Sequence, residues 1–180
     1  MKFRTRVLMI LVCVIAFSCD EKKTEPAEVE NTEIVEEKSR QLILDVDLET
    51  SKPDDFRFFA NNIFLNNSQF MNLSISHKLN SNETYKKMRF EFPEGVQPDF
   101  QIGFALGVKN EKSVKINNIN ISFGDLEYSI PAGDLVKYFR WNQFVSYDAE
   151  TGMLSTKKVD NRLNPILFLR NPYVEKISNQ

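Results

Sequence analysis

The 180-residue sequence is poor in cysteine: it contains only Cys13 and Cys19, both within the first nineteen positions. Beyond residue 19 there is therefore no thiol that could form a disulfide, bind zinc as a thiolate or act as a nucleophile. A domain folded from that part of the chain must be held together by the packing of its core.

Histidine is just as scarce, since His77 is the only one. A histidine-rich metal site is impossible, and the sequence has no Gly-x-Ser-x-Gly motif that would place a nucleophilic serine on a tight turn. We expect His77 to be a strand residue at a sheet edge, and its use as a general base is the less favoured alternative. The sequence thus predicts no catalytic residue, and a hydrolase is disfavoured.

An excess of positive charge is also missing, because 23 Lys and Arg residues stand against 25 Asp and Glu residues, for a net charge of −2. Proteins that bind nucleic acids need a basic face. The composition therefore argues against a nucleic-acid partner.

Long hydrophobic runs are limited to residues 7–17, which are too few for a transmembrane helix of about 20 residues. The basic residues Lys2, Arg4 and Arg6 precede this run. A basic head, a short apolar stretch and small residues before a cleavage point form the pattern of a secretory signal, here residues 1–18. Removing it would change the net charge from −2 to −5.

The last residues of this signal, Ala16, Phe17, Ser18 and Cys19, resemble the lipobox of bacterial lipoproteins. The resemblance implies that Cys19 is diacylated and becomes the first residue of the mature chain. It also implies a lipid anchor in the bilayer and a location in the cell envelope, at the outer membrane. Several acyl chains hold a protein firmly, since each buried methylene contributes about 0.8 kcal/mol. The alternatives are an ordinary cleaved signal or an uncleaved anchor helix.

The segment after Cys19 differs in composition from the rest of the chain. Residues 20–40 include eight acidic side chains, four basic ones and no aromatic one. Such a segment cannot bury enough apolar surface to offset its chain entropy, so residues 19–40 are predicted to be a lipidated, disordered tether. Acidic residues directly after the cysteine resemble those that direct some lipoproteins to the cell surface, and the periplasmic face is the alternative.

From Gln41 onward the sequence alternates apolar and polar residues, which is typical of half-buried strands. The alternation is clearest over residues 42–49, 85–92 and 100–106, and it slips by one residue at Asn117–Asn118, where we predict a β-bulge. Residues 61–67 are predicted to be a loop. Residues 132–139 are predicted to form a short helical turn capped by Asp134.

About nine short strands and no long helical period predict an all-β domain over residues 41–177, an antiparallel β-sandwich or jelly roll. This pattern looks like the small β-sandwich modules, similar to carbohydrate-binding modules, that occur on bacterial envelope proteins. The resemblance is one of architecture, so it implies no particular binding residue.

Carboxylates offer two candidate sites. Asp45 and Asp47 are two residues apart on one strand, so they share a face at about 7 Å, a separation that inverting glycosidases use; Glu49 extends the row. The alternative is a solvated strand face. Asp54–Asp55, with Asn61 and Asn62, offers oxygen ligands of the kind calcium takes, but their spacing fits no defined calcium loop. We predict neither a metal site nor a cofactor.

The most distinctive local feature is an aromatic cluster next to polar groups. Its candidate ligand-binding residues are Tyr138, Arg140, Trp141 and Asn142. Sugars stack on flat rings while amides and guanidinium groups bind their hydroxyls, a mixture common in ligand sites. The alternative is that the large rings fill the core.

Three functions remain open at this point. The first is a non-enzymatic envelope lipoprotein that binds a glycan or another envelope component. The second is a structural or assembly subunit that binds a partner protein through an exposed sheet edge. A hydrolase is the third and least favoured.

Overall fold

The computed structural model of the chain describes residues 40–65, 68–80 and 83–180. These residues form eleven strands and two short helices. The strands are β1 (Ile43–Thr50), β2 (Asp55–Leu65), β3 (Ser68–Lys78), β4 (Tyr85–Glu91), β5 (Val96–Ala105), β6 (Ser113–Phe123), β7 (Leu126–Pro131), β8 (Phe139–Trp141), β9 (Val145–Asp148), β10 (Met153–Thr156) and β11 (Ile166–Leu169). The helices are α1 (Leu135–Tyr138) and α2 (Asn171–Ser178). The predicted signal peptide, Cys19 and all but the last residue of the predicted tether lie outside the described residues.

The strands pair into two antiparallel sheets, which confirms the predicted all-β sandwich. The first sheet has the order β4-β1-β6-β10-β9. In it β6 pairs with β10 at its beginning and with β7 along its second half. The second sheet has the order β3-β2-β5-β11-β8. Each sheet therefore has one face toward the shared core and one face toward solvent.

A layer of phenylalanines fills the space between the sheets. The rings of Phe58 and Phe92 stack at 5.0 Å between centroids, and Phe90 meets Phe104 edge to face at 5.7 Å. Phe104 is 1% exposed, as its position in the most regular alternation predicts. Such offset and edge-to-face pairs add to the stabilisation that comes from burying the rings.

The predicted alternation and the predicted bulge are both confirmed. Leu44, Val46 and Leu48 of β1 are buried, while the residues between them face outward. The pairing of β1 with β6 shifts by one residue between Asp47 and Leu48, which leaves Asn117 as the extra residue of β6.

The prediction of a loop over residues 61–67 is wrong for residues 61–65, because β2 continues to Leu65. The Asn61 side chain donates a hydrogen bond to the Gln101 side chain on β5 at 2.9 Å. Paired amides on neighbouring strands therefore keep this asparagine-rich segment in the sheet. The short strand β8 was not predicted either, and the described residues form eleven strands instead of about nine.

The helix α2 was not predicted, since Asn171–Pro172 was expected only to end the last strand. Pro172 suits the first turn of a helix, where its missing N–H is not needed. Val174 and Ile177, three residues apart on one side of the helix, are both buried. The helix packs against β5 and closes that side of the sandwich.

The predicted helical turn over residues 132–139 is present as a 3-10 turn at Ala132–Asp134 followed by α1. Asp134 occupies the cap position, but its side chain makes no capping hydrogen bond. Leu135 is buried and fixes the turn to the core instead.

Candidate functional site

The predicted ligand-binding segment, residues 138–142, enters the fold as β8, the edge strand of the second sheet. Successive side chains of a strand point to opposite faces. Trp141 is half-buried and packs against the core, with its ring 5.3 Å from that of Tyr147 on β9. Arg140 is exposed and faces outward. The two residues that were expected to act together therefore lie on opposite sides of β8.

Tyr138 belongs to a separate cluster of tyrosines. Its ring stacks on that of Tyr173 at 4.5 Å and lies 6.1 Å from that of Tyr128. These rings join α1, β7 and α2. Tyr138 therefore packs between elements of the fold and does not extend the surface around Arg140.

Asn142 uses its side chain to hold the loop after β8. Its amide donates to the backbone carbonyl of Asn164 at 2.7 Å and accepts hydrogen bonds from the backbone N–H groups of Phe144 and Ile166, each at 3.3 Å. The structure thus does not bring the four predicted residues together on one surface. Ligand binding by them stays a prediction, and Arg140 is the one that faces solvent.

The surface that Arg140 joins is the outer face of the second sheet. Phe59 and Phe168 both stand opposite Gly103 in the strand register, and Phe168 stands opposite Arg140. Arg57 lies on the same face, two residues before Phe59 on β2. We call these five residues the arginine–aromatic face.

Gly103 allows the aromatic part of this face to form. A Cβ atom at residue 103 would lie 2.3 Å from Cζ of Phe59, well inside van der Waals contact. Because glycine has no Cβ, the Phe59 ring lies directly on the strand and meets Phe168 edge to face at 6.2 Å. With Ala105 and Ile166 these rings form a second apolar cluster, separate from the core between the sheets.

Two guanidinium groups lie on these rings. The Arg57 Cζ atom is 5.7 Å from the centroid of Phe59, and the Arg140 Cζ atom is 5.0 Å from that of Phe168. Both arginines are exposed. A cation held over a ring in this way is attracted by its π-electrons. Each guanidinium group therefore lies over a ring of the face while its side chain stays exposed to solvent.

Polar side chains border the rings on the side of β3. Asn61 and Gln101 form their amide pair here, and Asn72 and Ser74 line the same shallow groove of about 320 Å³. Amide and hydroxyl groups beside aromatic rings are a common composition of ligand sites. The arginine–aromatic face and this groove together form the candidate site.

The carboxylates of β1 lie on the opposite outer face and are already engaged. Arg89 donates to Asp45 at 3.0 Å, and the Tyr85 hydroxyl donates to Asp47 at 3.0 Å. The side-chain amide of Asn117 also donates hydrogen bonds to Asp47 at 3.2 Å and to Glu49 at 3.4 Å. This arrangement favours the interpretation of a solvated sheet face over that of an acid–base pair.

The candidate calcium ligands are dispersed. Asp54 is buried, and its carboxylate accepts a hydrogen bond from Lys112 Nζ at 2.5 Å. Asp55 pairs with Lys109 instead, and Asn61 bonds Gln101 on the outer face. Among the residues that the structure describes, no group of three or more His, Cys, Asp or Glu side chains could hold a metal ion.

The environment of Asp54 accounts for its charge state. Burial alone would raise the pKa of this carboxyl, but the hydrogen bonds from Lys112 and from the backbone N–H groups of Asp55 and Asn110 lower it below 3.8. Burial lowers the pKa of Lys112, against the opposing effect of Asp54. Gly107 (φ +89°) lies directly against the Asp54 side chain, where a Cβ atom would collide with it.

His77 connects the two sheets at the β3–β4 side. Its Nε2 lies 2.7 Å from the carbonyl oxygen of Arg89, to which it donates, and its ring meets Phe90 edge to face at 4.7 Å. This confirms the expected position at a sheet edge. Through these contacts His77 joins β3 to β4.

Sequence reasoning missed Arg57, Phe59, Gly103 and Phe168. Phe59 and Phe168 look like further core residues in the sequence. Composition alone does not show whether an apolar strand residue faces the core or the outer side of its sheet. Gly103 was the available signal, since a glycine within a regular strand marks a close approach by another group.

Comparisons with protein-family models, with curated protein sequences and with solved structures found no match. In the described part of the chain, none of the helices has the length and apolar character that crossing a membrane requires.

Proposed function

We propose that this protein is a lipid-anchored lipoprotein of the cell envelope, at the outer membrane, whose β-sandwich binds a glycan without catalysis. The observation that carries the proposal is the arginine–aromatic face, where rings, guanidinium groups and amides meet on one exposed sheet surface. In this proposal the ligand lies on the side of the sheet opposite Trp141, and of the four residues first considered only Arg140 belongs to its site.

The composition of the face fits a glycan better than a purely apolar ligand. Phe168 is half-buried, so part of its ring is available to a sugar, while Phe59, at 8% exposure, meets it edge to face. Asn72, Ser74 and the Asn61–Gln101 pair supply hydrogen-bonding groups for hydroxyls. A shallow groove of this kind suits a chain of sugars lying along the sheet.

A partner protein is the second candidate, and one observation favours it. The eleven-residue strand β3 is the edge of the second sheet and pairs only with β2 among the described residues. A free edge can accept a strand from another chain. However, Asn72, Ser74, Ser76 and Lys78 make its outer face polar, which is a common way to discourage such pairing.

The test is a pull-down of the purified full chain, in detergent, on insoluble and immobilised polysaccharides. Phe168→Ala should reduce retention about tenfold or more, because stacking residues carry much of the energy of a small site. The control is Lys115→Gln, on the outer face of the first sheet, which should bind like the wild type. Equal retention of the wild type and Phe168→Ala would contradict the proposal.

A further inference from the structure

We propose that the ligand of the arginine–aromatic face is an anionic glycan, one whose repeating units carry carboxylate or sulfate groups. This inference rests on the proposed function and specifies its ligand class. It depends on the two arginines of the face and on the absence of any acidic partner for them.

Two cations on the outer face of the first sheet are paired with neighbouring carboxylates. Arg89 pairs with Asp45 and Glu91, and Lys87 lies 3.9 Å from Asp47. A third cation of that face, Lys115, stands opposite Glu49 in the strand register. The cations of this face thus have carboxylates beside them.

The second sheet differs in this respect. Neither Arg57 nor Arg140 forms an ion pair with any carboxylate in the described part of the chain; each lies over a phenylalanine ring instead. The described residues that line the groove include no Asp or Glu. The nearest carboxylate on this face, Asp55, lies two residues before Arg57 on β2 and is paired with Lys109, so Arg57 and Arg140 are the charged groups beside the rings.

The chemistry of arginine makes this face selective for oxyanions. The planar guanidinium presents several N–H donors in a fork that matches the two oxygens of a carboxylate or sulfate. Contact with a ring restricts each arginine side chain before a ligand arrives, so less conformational freedom is lost on binding. The amides of Asn61, Gln101 and Asn72 then remain for uncharged hydroxyls.

The spacing of the arginines indicates the size of the ligand. They lie on β2 and β8, which β5 and β11 separate, and Arg57 is two residues out of line with Arg140 in the register, so their backbones are about 16 Å apart. An oligomer or polymer can present a separate anionic group to each arginine. The ligand is therefore an oligomer or polymer with repeated anionic units.

The experiment compares matched pairs of polymers that differ only in charge: polygalacturonate against its carboxyl-reduced form, and dextran sulfate against dextran. Xylan, mannan and β-glucan serve as a panel of neutral glycans. Binding of the purified full chain in detergent is measured at low and high salt. We expect at least one charged polymer to bind about tenfold or more tightly than its neutral form, with affinity falling as salt rises.

Variants assign this preference to the arginines. Arg57→Gln and Arg140→Gln should each weaken binding of the charged polymer about tenfold and reduce its salt dependence, and the double variant should remove most of it. Arg140→Lys should restore part of the affinity, since it keeps the charge and loses the fork. Lys115→Gln, which removes one charge from the opposite face, should have no effect, and thermal unfolding should show that all variants are folded.

Two outcomes would overturn the inference alone: binding of charged and neutral polymers within twofold of each other, or binding only to the neutral panel. Absence of binding to every polymer would overturn the proposed function as well. Arginine-dependent binding to phosphatidylglycerol vesicles, without binding to charged polymers, would show that the face binds a lipid surface instead.

Discussion

Gly103 lies under the ring of Phe59, and no larger residue fits there without displacing that ring. Gly103→Ala should destabilise the protein by about 1–3 kcal/mol, the usual cost of overpacking. It should also weaken glycan binding, because Phe59 supports both Phe168 and Arg57. Urea unfolding measures the first effect and polysaccharide pull-down the second.

A second variant separates this cause from a general effect of alanine at residue 103. In Phe59→Ala the ring that would collide is absent, so adding Gly103→Ala to it should cost much less than in the wild type. If Gly103→Ala lowers the free energy of unfolding equally in the wild type and in Phe59→Ala, the Phe59 ring does not rest on Gly103.

Trp141 is the residue for which ligand binding and core packing predict opposite results. It is half-buried beside Tyr147, where the edge strands β8 and β9 of the two sheets approach each other. Trp141→Ala should lower the free energy of unfolding by about 2 kcal/mol, less than the 3–5 kcal/mol of a fully buried ring. It should leave polysaccharide binding unchanged.

Fluorescence provides an independent check on Trp141, because the chain has no other tryptophan. Emission should be only partly quenched by iodide, as expected of a half-buried ring. If Trp141→Ala abolished polysaccharide binding without lowering stability, Trp141 would belong to the ligand site.

At the scale of elements, the Asp54–Lys112 ion pair ties the start of β2 to the segment between β5 and β6. Asp54 also accepts hydrogen bonds from the backbone N–H groups of Lys109 and Asn110, and Lys112 exchanges bonds with Thr156 of β10. Both charged side chains are fully buried. Lys112→Met should cost about 3–5 kcal/mol, because it leaves a buried carboxylate without its counter-charge.

The same pair predicts a pH dependence. The folded pKa of Asp54 lies below its unfolded value of 3.8, so its stabilising contribution is present above that pH and is lost as pH falls through the lower, folded pKa. The wild type should therefore lose stability below about pH 4 more steeply than the double variant Asp54→Asn/Lys112→Met. Parallel profiles of chemical unfolding from pH 6 to pH 2.5 would contradict this role.

At the scale of the whole molecule, the proposed anchor at Cys19 and the proposed binding face belong to different parts of the chain. Cys19→Ser should leave the protein unlabelled by a fatty-acid probe and release it from the membrane fraction, because the acyl chains supply the membrane affinity. Polysaccharide binding by the same variant should be retained. Labelling of the serine variant at the level of the wild type would exclude Cys19 as the acylated residue.

The fold could be predicted in outline because alternation is a local property. The positions of Leu44, Val46 and Phe104 in their strands follow from a period of two, and the slip at Asn117 is visible in the same pattern. The extension of β2 through Asn61 was not visible, since it depends on the amide of Gln101, forty residues away. The helix α2 was missed because two buried residues in eight give too weak a periodicity.

The sequence by itself determined that the domain is all-β and that no thiol supports it beyond residue 19, whereas the absence of catalysis and of a nucleic-acid partner stays a prediction. Only the tertiary structure decided which aromatic residues face solvent. Phe59, Phe168 and Arg140 come from three strands that are distant in the chain, and their contact depends on strand order and register. Those depend on the packing of the two sheets, which no local pattern encodes.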